Sequence, residues 1–271
     1  MGKLRLDDLM LERGMVDSRL QAQKLIMAGQ VRVNREIELK PSTIFRSDVQ
    51  VEIEKPPRFV SRGGEKLEGA LIAFEKVDLS GIVCVDVGSS TGGFTDCLLQ
   101  HGARRVYAVD VGYGILHWKL RNDERVVVME ETNARFVTGF PDKIDLVTVD
   151  ASFISLRVLL PVIFGWLEGT AEVVALIKPQ FEAGRKIVAR GSGVVRSPEV
   201  HRQVLREMLE FSAESGFSVL GLVRSSLVGP KGNAEFLLHL GLPGRTSIDY
   251  EKAIQQVIET SAGAPEPDPG D

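Results

Sequence analysis

Cysteine is scarce in this chain, with Cys84 and Cys97 alone among 271 residues. Two thiols cannot build a disulfide scaffold or a four-thiolate zinc site, and they suit a reducing compartment. The four histidines, His101, His117, His201 and His239, lack the spacing of metal ligands, so no metal is expected. No run of 18 or more apolar residues occurs, which excludes a spanning helix of ordinary length, and MGKLRLDDLM lacks the apolar core of a secretory signal. A soluble, cytoplasmic protein that does not engage the membrane is expected. Charge is present but unevenly spread. Residues 1–62 hold 12 Lys and Arg against 9 Asp and Glu, while the rest hold 21 against 28, which makes +3 followed by −7. A polyanionic partner would therefore meet the N-terminal part first.

What is present reads as two kinds of pattern. Leu6, Leu9 and Met10 share one side of a short helix, and Ser18 can cap a second that carries Leu25 and Ile26 and ends at Gly29. The period then becomes alternating: VRVN at 31–34, a turn, and VQVEI at 49–53 read as a small sheet. KPPRF at 55–59 reads as a linker, since two prolines remove backbone donors. Beyond it, strand-like runs at 82–87, 105–110, 125–129, 144–150 and 172–178 alternate with helical material, the signature of a parallel sheet with helices on both faces. A helix near 199–215 precedes two further runs, 217–224 and 234–240, which form an antiparallel pair at one edge. A final helix near 248–260 and a proline-rich, acidic tail complete the chain. The expected fold is α/β, a Rossmann-like sheet of seven strands behind a small α+β domain. The expected bounds are 1–55 for the small domain, 56–62 for the linker, 63–260 for the larger domain and 261–271 for a disordered tail.

The run VDVGSSTGGFTD leads from the first of these strands into a helix. No Gly-Lys-Ser/Thr closes it, so it is not a P-loop, and Ser90 stands where a G-x-G-x-x-G fingerprint needs glycine. Gly88, Ser90 and Gly92 are small enough for close approach to a ligand, and Asp86 before them favours a positively charged one. Asp110, 24 residues on at the end of the second strand, is placed to accept from ribose hydroxyls. An amino acid joined to a nucleoside meets both demands, and S-adenosylmethionine is the ligand of choice. Asn133 could reach the adenine, and Phe94 completes the expected cofactor-binding set. The competing reading is that both acids merely end strands and that Gly92 and Gly93 allow close helix packing.

Four more charged residues fall at strand ends or just before the sheet: Lys66 in SRGGEKL, Asp150 in VDASFIS, Lys178 in IKPQFE and Glu235 in GNAEF. The set resembles the Lys-Asp-Lys-Glu catalytic tetrad of FtsJ/RrmJ-type ribose 2′-O-methyltransferases. With DVGSSTGGFTD, DVGYGIL, LRNDERV, TNAR and DASFISL, nearly the whole chain resembles the TlyA family, bacterial rRNA cytidine 2′-O-methyltransferases often labelled hemolysins. RLDDLMLERG, SRLQAQKLIMAG and VRVN resemble the alpha-L RNA-binding module. In that module Arg5, Arg19, Lys24 and Arg32 would contact phosphates. Arg35 follows Asn34 where the module commonly has glycine, so a different hairpin turn is expected.

The resemblance implies transfer of a methyl group from S-adenosylmethionine to a cytidine 2′-hydroxyl of ribosomal RNA, with rRNA or a ribosomal subunit as partner. A lysine ammonium about 4 Å from the developing oxyanion, at an effective dielectric near 20, contributes on the order of 4 kcal/mol, or roughly three pKa units of the hydroxyl. Lys178 would stabilise and orient the nucleophile, with Asp150 aligning it; a neutral Lys178 acting as base is the alternative. Lys66 and Glu235 would position the ribose. Phe153 would stack under a base or, more ordinarily for phenylalanine, lie in the core. Competing functions are a membrane-active, hemolysin-like protein and a base-directed RNA methyltransferase.

Overall fold

The computed structural model describes residues 2–54, 57–244 and 248–259. The proposed tail at 261–271 lies outside the described residues. The chain divides into two compact units that part between Arg58 and Phe59.

In the first unit β1 (Lys3–Arg5) leads directly into α1 (Leu6–Glu12), followed by α2 (Arg19–Met27), β2 (Val31–Val33), β3 (Glu36–Ile37), β4 (Ile44–Arg46) and β5 (Val51–Ile53). Ser18 caps α2 by accepting from Gln21 N, and Gly29 follows in the left-handed conformation, φ +70°. Leu6, Met10, Val16, Ala22, Ile26, Val31 and Val33 form the small core. The sheet runs β3-β2-β5, and β1 pairs antiparallel with β4, Leu4 opposite Phe45. The β2–β3 hairpin corrects an expectation. Asn34 and Arg35 both have positive φ, 52° and 73°, the signature of the type I′ turn that Asn-Gly would make. Arg35 thus adopts the glycine conformation without being glycine, and its carbonyl accepts from Arg32 Nη1 at 2.9 Å.

The second unit runs α3 (Gly63–Ala73), β6 (Val83–Val87), α4 (Gly93–Gln100), β7 (Arg105–Val109), α5 (Trp118–Arg121), β8 (Val126–Met129), β9 (Ile144–Val149), α6 (Leu156–Phe164), β10 (Leu167–Ile177), α7 (Pro179–Glu182), α8 (Arg185–Arg190), α9 (Pro198–Glu214), β11 (Ser218–Arg224), β12 (Phe236–Gly241) and α10 (Tyr250–Glu259). Its seven strands are ordered β11-β12-β10-β9-β6-β7-β8. The five central and right-hand strands are parallel, and β12 is antiparallel to both β10 and β11.

Strand alternation sorts the core into two layers. Val83, Val85 and Val87 of β6, with Val147 and Val149 of β9 and Val173, Ala175 and Ile177 of β10, face the side covered by α6, α9 and α10. Cys84, Val106, Ala108, Val174 and Leu176 face α3 and α4. Both cysteines are buried, and neither forms a disulfide among the described residues. A fully buried leucine such as Leu160 or Leu71 contributes roughly 2 kcal/mol relative to exposure, so each helix is held mainly by this layer. β10 starts earlier than its alternating run: the ladder to β9 shifts between Leu167 and Glu172, and the bulge hides the first residues from a period-2 reading.

The topology fixes where chemistry can sit. The C-terminal ends of β6 to β10 share one edge, and β12, running the other way with Phe236 opposite Ile177, begins at that edge.

Candidate active site

Lys178 follows β10 and Asp150 follows β9, neighbouring strands whose ends lie side by side. Lys178 Nζ lies 2.6 Å from Asp150 Oδ1 and donates to Ser152 Oγ at 2.9 Å. Lys178 is 8% exposed. Glu235, just before β12, is 1% exposed, and its Oε2 accepts from Lys66 Nζ at 2.6 Å. Lys66 comes from the first turns of α3. Among the described residues Glu235 Oε1 has no hydrogen-bond partner, and it packs on the backbone of Gly229. Two ion pairs are therefore held at one sheet edge by four different elements.

Two cavities adjoin them. One of about 470 Å³ is lined by Lys66, Gly88, Ser90, Phe94 and Asp150 among others. The second, about 270 Å³, is lined by Gly88, Ser90, Asp110, Asn133 and Asp150 with apolar walls from Val87, Val111 and Ile115. Gly88, Ser90 and Asp150 belong to both, so the cavities meet beside the Lys178–Asp150 pair.

The glycine loop is shaped by the protein around it. A Cβ on Gly88 would lie 2.7 Å from the Asp150 carbonyl oxygen, and one on Gly92 would lie 2.2 Å from Leu120 Cδ1. Both also have positive φ, +83° and +101°, so only glycine serves at either place. Gly92 therefore serves helix packing, and it lines neither cavity. Ser90 N donates to Asp110 Oδ2 at 2.8 Å and Gly112 N to Asp110 Oδ1 at 2.7 Å. Asp110 thus ties the loop to the end of β7, and each oxygen keeps a lone pair for a ligand donor. Asn133 Oδ1 accepts from Arg135 N at 3.1 Å.

Asp86 is a correction. It is fully buried and lines neither cavity. Its carboxyl oxygens accept from Thr95 Oγ1 at 2.6 Å and Thr148 Oγ1 at 3.2 Å. Burial pushes its pKa up to about 7, against the opposing pull of Thr95. The side chain points between β9 and α4 instead of towards a ligand, so it holds the strand–loop junction. Phe153 corrects the core reading: it is 93% exposed, has φ 64°, and its ring centroid lies 5.3 Å from that of Phe181.

Ser152, Phe181 and Gly229 belong to this edge and were not among the sequence candidates. Ser152 and Phe181 lie within three residues of Asp150 and Lys178, which is the only signal for them; Gly229 carries none. Phe181 lies 5.9 Å below Lys178 Nζ. Glu182 anchors the same region: Leu156 N donates to its Oε1 at 2.8 Å and Ser155 Oγ to its Oε2 at 2.5 Å. Burial raises its pKa above the ordinary glutamate value.

In the first unit the candidate phosphate ligands already hold carboxylates. Arg5 donates twice to Asp7, at 2.9 Å each. Arg19 Nε lies 3.0 Å from Asp7 and 3.2 Å from Asp8. Arg32 pairs with Glu54. Asp7 is fully buried, and the Arg5 guanidinium holds its carboxyl well below the usual range. Arg5 and Arg19 are thus structural partners of Asp7 before they can serve RNA. Lys24 stands exposed on α2.

Residues 59–242 match the FtsJ-like methyltransferase family, and residues 4–51 match the S4 domain. YqxC of Bacillus subtilis is 48% identical over 95% of this chain and 93% of its own length. The 16S/23S rRNA (cytidine-2′-O)-methyltransferase TlyA of Mycobacterium tuberculosis is 43% identical, over 88% and 90%. A hemolysin-labelled structure from Streptococcus thermophilus superposes with a TM-score of 0.73 at 41% identity, covering 97% of this chain and 96% of that one.

Proposed function

We propose, from the premise that this chain belongs to the FtsJ-like methyltransferase family in its TlyA branch, that it transfers the methyl group of S-adenosylmethionine to the 2′-hydroxyl of a cytidine in ribosomal RNA. The observation that carries this reading is the meeting of Lys178 with Asp150 and of Lys66 with Glu235 at the edge where the two cavities join. An S4 unit supplies the RNA-binding function, and an rRNA substrate assigns the work to the cytoplasm.

The cavity residues fit the donor. Asp110 offers acceptor capacity for a ribose, while Val87, Val111 and Ile115 form apolar walls for a purine. S-adenosylmethionine would supply an electrophilic methyl group on a sulfonium. The residues held to bind it are Gly88, Ser90, Asp110 and Asn133, with Phe94 on the adjoining wall; Asp86 and Gly92 act behind them by fixing the loop.

Lys178 has three N–H donors. Two are directed at Asp150 and Ser152, which leaves one for the ribose oxygen. An ammonium fixed in this way stabilises negative charge as it develops and needs no reorganisation during the step. Asp150 keeps that ammonium aligned, and the proton leaves the hydroxyl late or in concert with transfer. Lys66, held by Glu235, positions the ribose. Phe153 presents its exposed ring to a base, since unpaired RNA is read by stacking.

The test is incubation of ribosomal subunits with methyl-labelled donor, followed by mapping of alkali-resistant linkages. Label at a cytidine 2′-oxygen is expected; label on a base would replace this reading with base methylation. Among the described residues no helix is long and apolar enough to cross a membrane.

A further inference from the structure

The segment between β9 and α6 carries much of the site. Asp150 and Ser152 both meet the Lys178 ammonium, and Phe153 turns its ring outward. Asp150, Ala151, Ser152, Phe153 and Ile154 also line the cavity assigned to the donor. Phe153 holds φ 64°, a conformation that bulky side chains rarely adopt. Such a backbone persists only where the surrounding contacts over-determine it.

Those contacts come from the stretch that follows β10. Asp150 meets Lys178 at 2.6 Å, the Phe153 ring centroid lies 5.3 Å from that of Phe181, and Ser155 and Leu156 meet Glu182. Of the three links, the one to Glu182 lies furthest from the chemistry along both segments, and Glu182 lines none of the cavities at this edge. Its Oε2 accepts from Ser155 Oγ at 2.5 Å and its Oε1 from Leu156 N at 2.8 Å. Leu156 opens α6, so its N–H finds no acceptor inside the helix, and a carboxylate suits that helix end electrostatically. Ser155 Oγ in turn accepts from Arg157 N at 3.1 Å. Phe181 N donates to Lys178 O at 2.8 Å, which keeps α7 folded against the residue that bears the ammonium. One carboxylate therefore pins the far end of the segment to the element that follows Lys178.

We propose that Glu182 is a positioning residue for methyl transfer, holding residues 150–155 so that the Ser152 hydroxyl stays on the Lys178 ammonium and the Phe153 ring stays turned to the target nucleotide. This inference rests on the 2′-O-methyl-transfer reading above and adds to it a residue that acts through others. Without the carboxylate, Leu156 N and the Ser155 hydroxyl lose their acceptor, Phe153 can relax out of the left-handed region, and Ser152 is free to leave Lys178. A displacement of about 1 Å at a reacting group costs on the order of 10²-fold in rate. Glutamine at 182 can keep both links, since its carbonyl accepts from Leu156 N and its amide nitrogen donates to the remaining lone pair of Ser155 Oγ. Leucine keeps similar bulk and neither link.

The experiment measures single-turnover transfer by the full chain to saturating ribosomal subunits from methyl-labelled S-adenosylmethionine. Glu182→Leu is expected to lower the rate constant by about 10- to 100-fold, and Glu182→Gln to stay within about threefold of wild type because it keeps both links. The same pair of rates is then measured in a chain that also carries Ser152→Ala and Phe153→Ala. Two of the side chains that Glu182 positions are gone there, so Glu182→Leu is expected to cost about threefold or less, the mark of residues acting as one unit. An equal fold loss in both backgrounds would overturn the positioning role and make Glu182 a contact of the fold alone; a wild-type rate for Glu182→Leu would overturn it outright. Should urea unfolding show that Glu182→Leu does not fold, Ser155→Ala removes one of the two links and is read in the same two backgrounds with the same outcomes. Each of these failures leaves the wild type an active methyltransferase, whereas absence of 2′-O-methylcytidine from the wild-type reaction would overturn the reading on which the role of Glu182 rests.

Discussion

Lys178 and Asp150 are joined by a 2.6 Å ion pair between the ends of adjacent parallel strands, on the boundary of two cavities. Lys178→Ala is expected to lower single-turnover methyl transfer by roughly 10²–10⁴-fold, the range for a positioned polar group at a reacting centre. Its affinity for S-adenosylhomocysteine should change little, because Lys178 does not line the donor cavity. Asp150→Asn should affect both quantities, since Asp150 does line it. Transfer by Lys178→Ala at the wild-type rate would remove Lys178 from the reaction.

Lys66 and Glu235 make a separable prediction. Glu235→Ala leaves the Lys66 ammonium, in a side chain only 11% exposed, without its counter-ion, a change that costs about 3 kcal/mol. The paired replacement Lys66→Met with Glu235→Leu should recover much of that stability in urea unfolding while methyl transfer stays lost. Recovery of activity along with stability would make the pair a folding device and no part of the chemistry.

Much of this arrangement is legible in the sequence because its causes are local. Strand ends at Asp110, Asp150 and Lys178 follow from apolar runs that stop at a charge, and Ser18 announces a helix start. What is not legible depends on partners far away in the chain. β1 and β4 are three residues each and exist through the pairing of Leu4 with Phe45. Asp86 turns inward because Thr148, 62 residues on, and Thr95 offer it hydroxyls. Phe153 looks like a core residue by composition alone, and its exposure is set by a positive φ that no residue preference announces. Arg5 and Arg19 look like free cations until Asp7 is seen buried between them.

Asp86 gives the second unit a specific pH response. An unfolded aspartate titrates near 3.9, whereas burial raises this one to about 7. Between those values the folded chain keeps a proton that the unfolded chain has lost. Stability contributed by this group is therefore present at low pH and falls as pH rises towards 7, by up to about 1.4 kcal/mol per pH unit. Asp86→Asn removes the titration, so its stability relative to wild type should climb between pH 5 and 7 and level off above about pH 8. Urea unfolding of both proteins across this range checks the sign; parallel curves would mean that Asp86 is ionised throughout.

The cations of the first unit should separate by function. Arg5→Ala or Arg19→Ala strips a charged donor from the buried Asp7 and is expected to destabilise that unit by about 2 kcal/mol. Lys24→Ala should leave its melting temperature unchanged. If Lys24 meets a phosphate, the slope of log affinity for rRNA against log salt should fall by about 1. An unchanged slope in Lys24→Ala would place the RNA contact elsewhere.

The β2–β3 turn offers the most local test. Arg35 holds φ 73° directly after Asn34 at φ 52°, and a side chain in the left-handed region costs roughly 1–2 kcal/mol. Arg35→Gly relieves that strain but adds about 0.5–1 kcal/mol of chain entropy in the unfolded state. The bond from Arg32 Nη1 is made to the backbone carbonyl, so it survives the change. The expected balance is a gain of about 0.5–1 kcal/mol in the first unit. Arg35→Ala keeps the strain while losing the charge and should gain nothing, so the difference between the two variants isolates the backbone. Equal stability of the glycine and alanine variants would show that the turn stores no strain at this position.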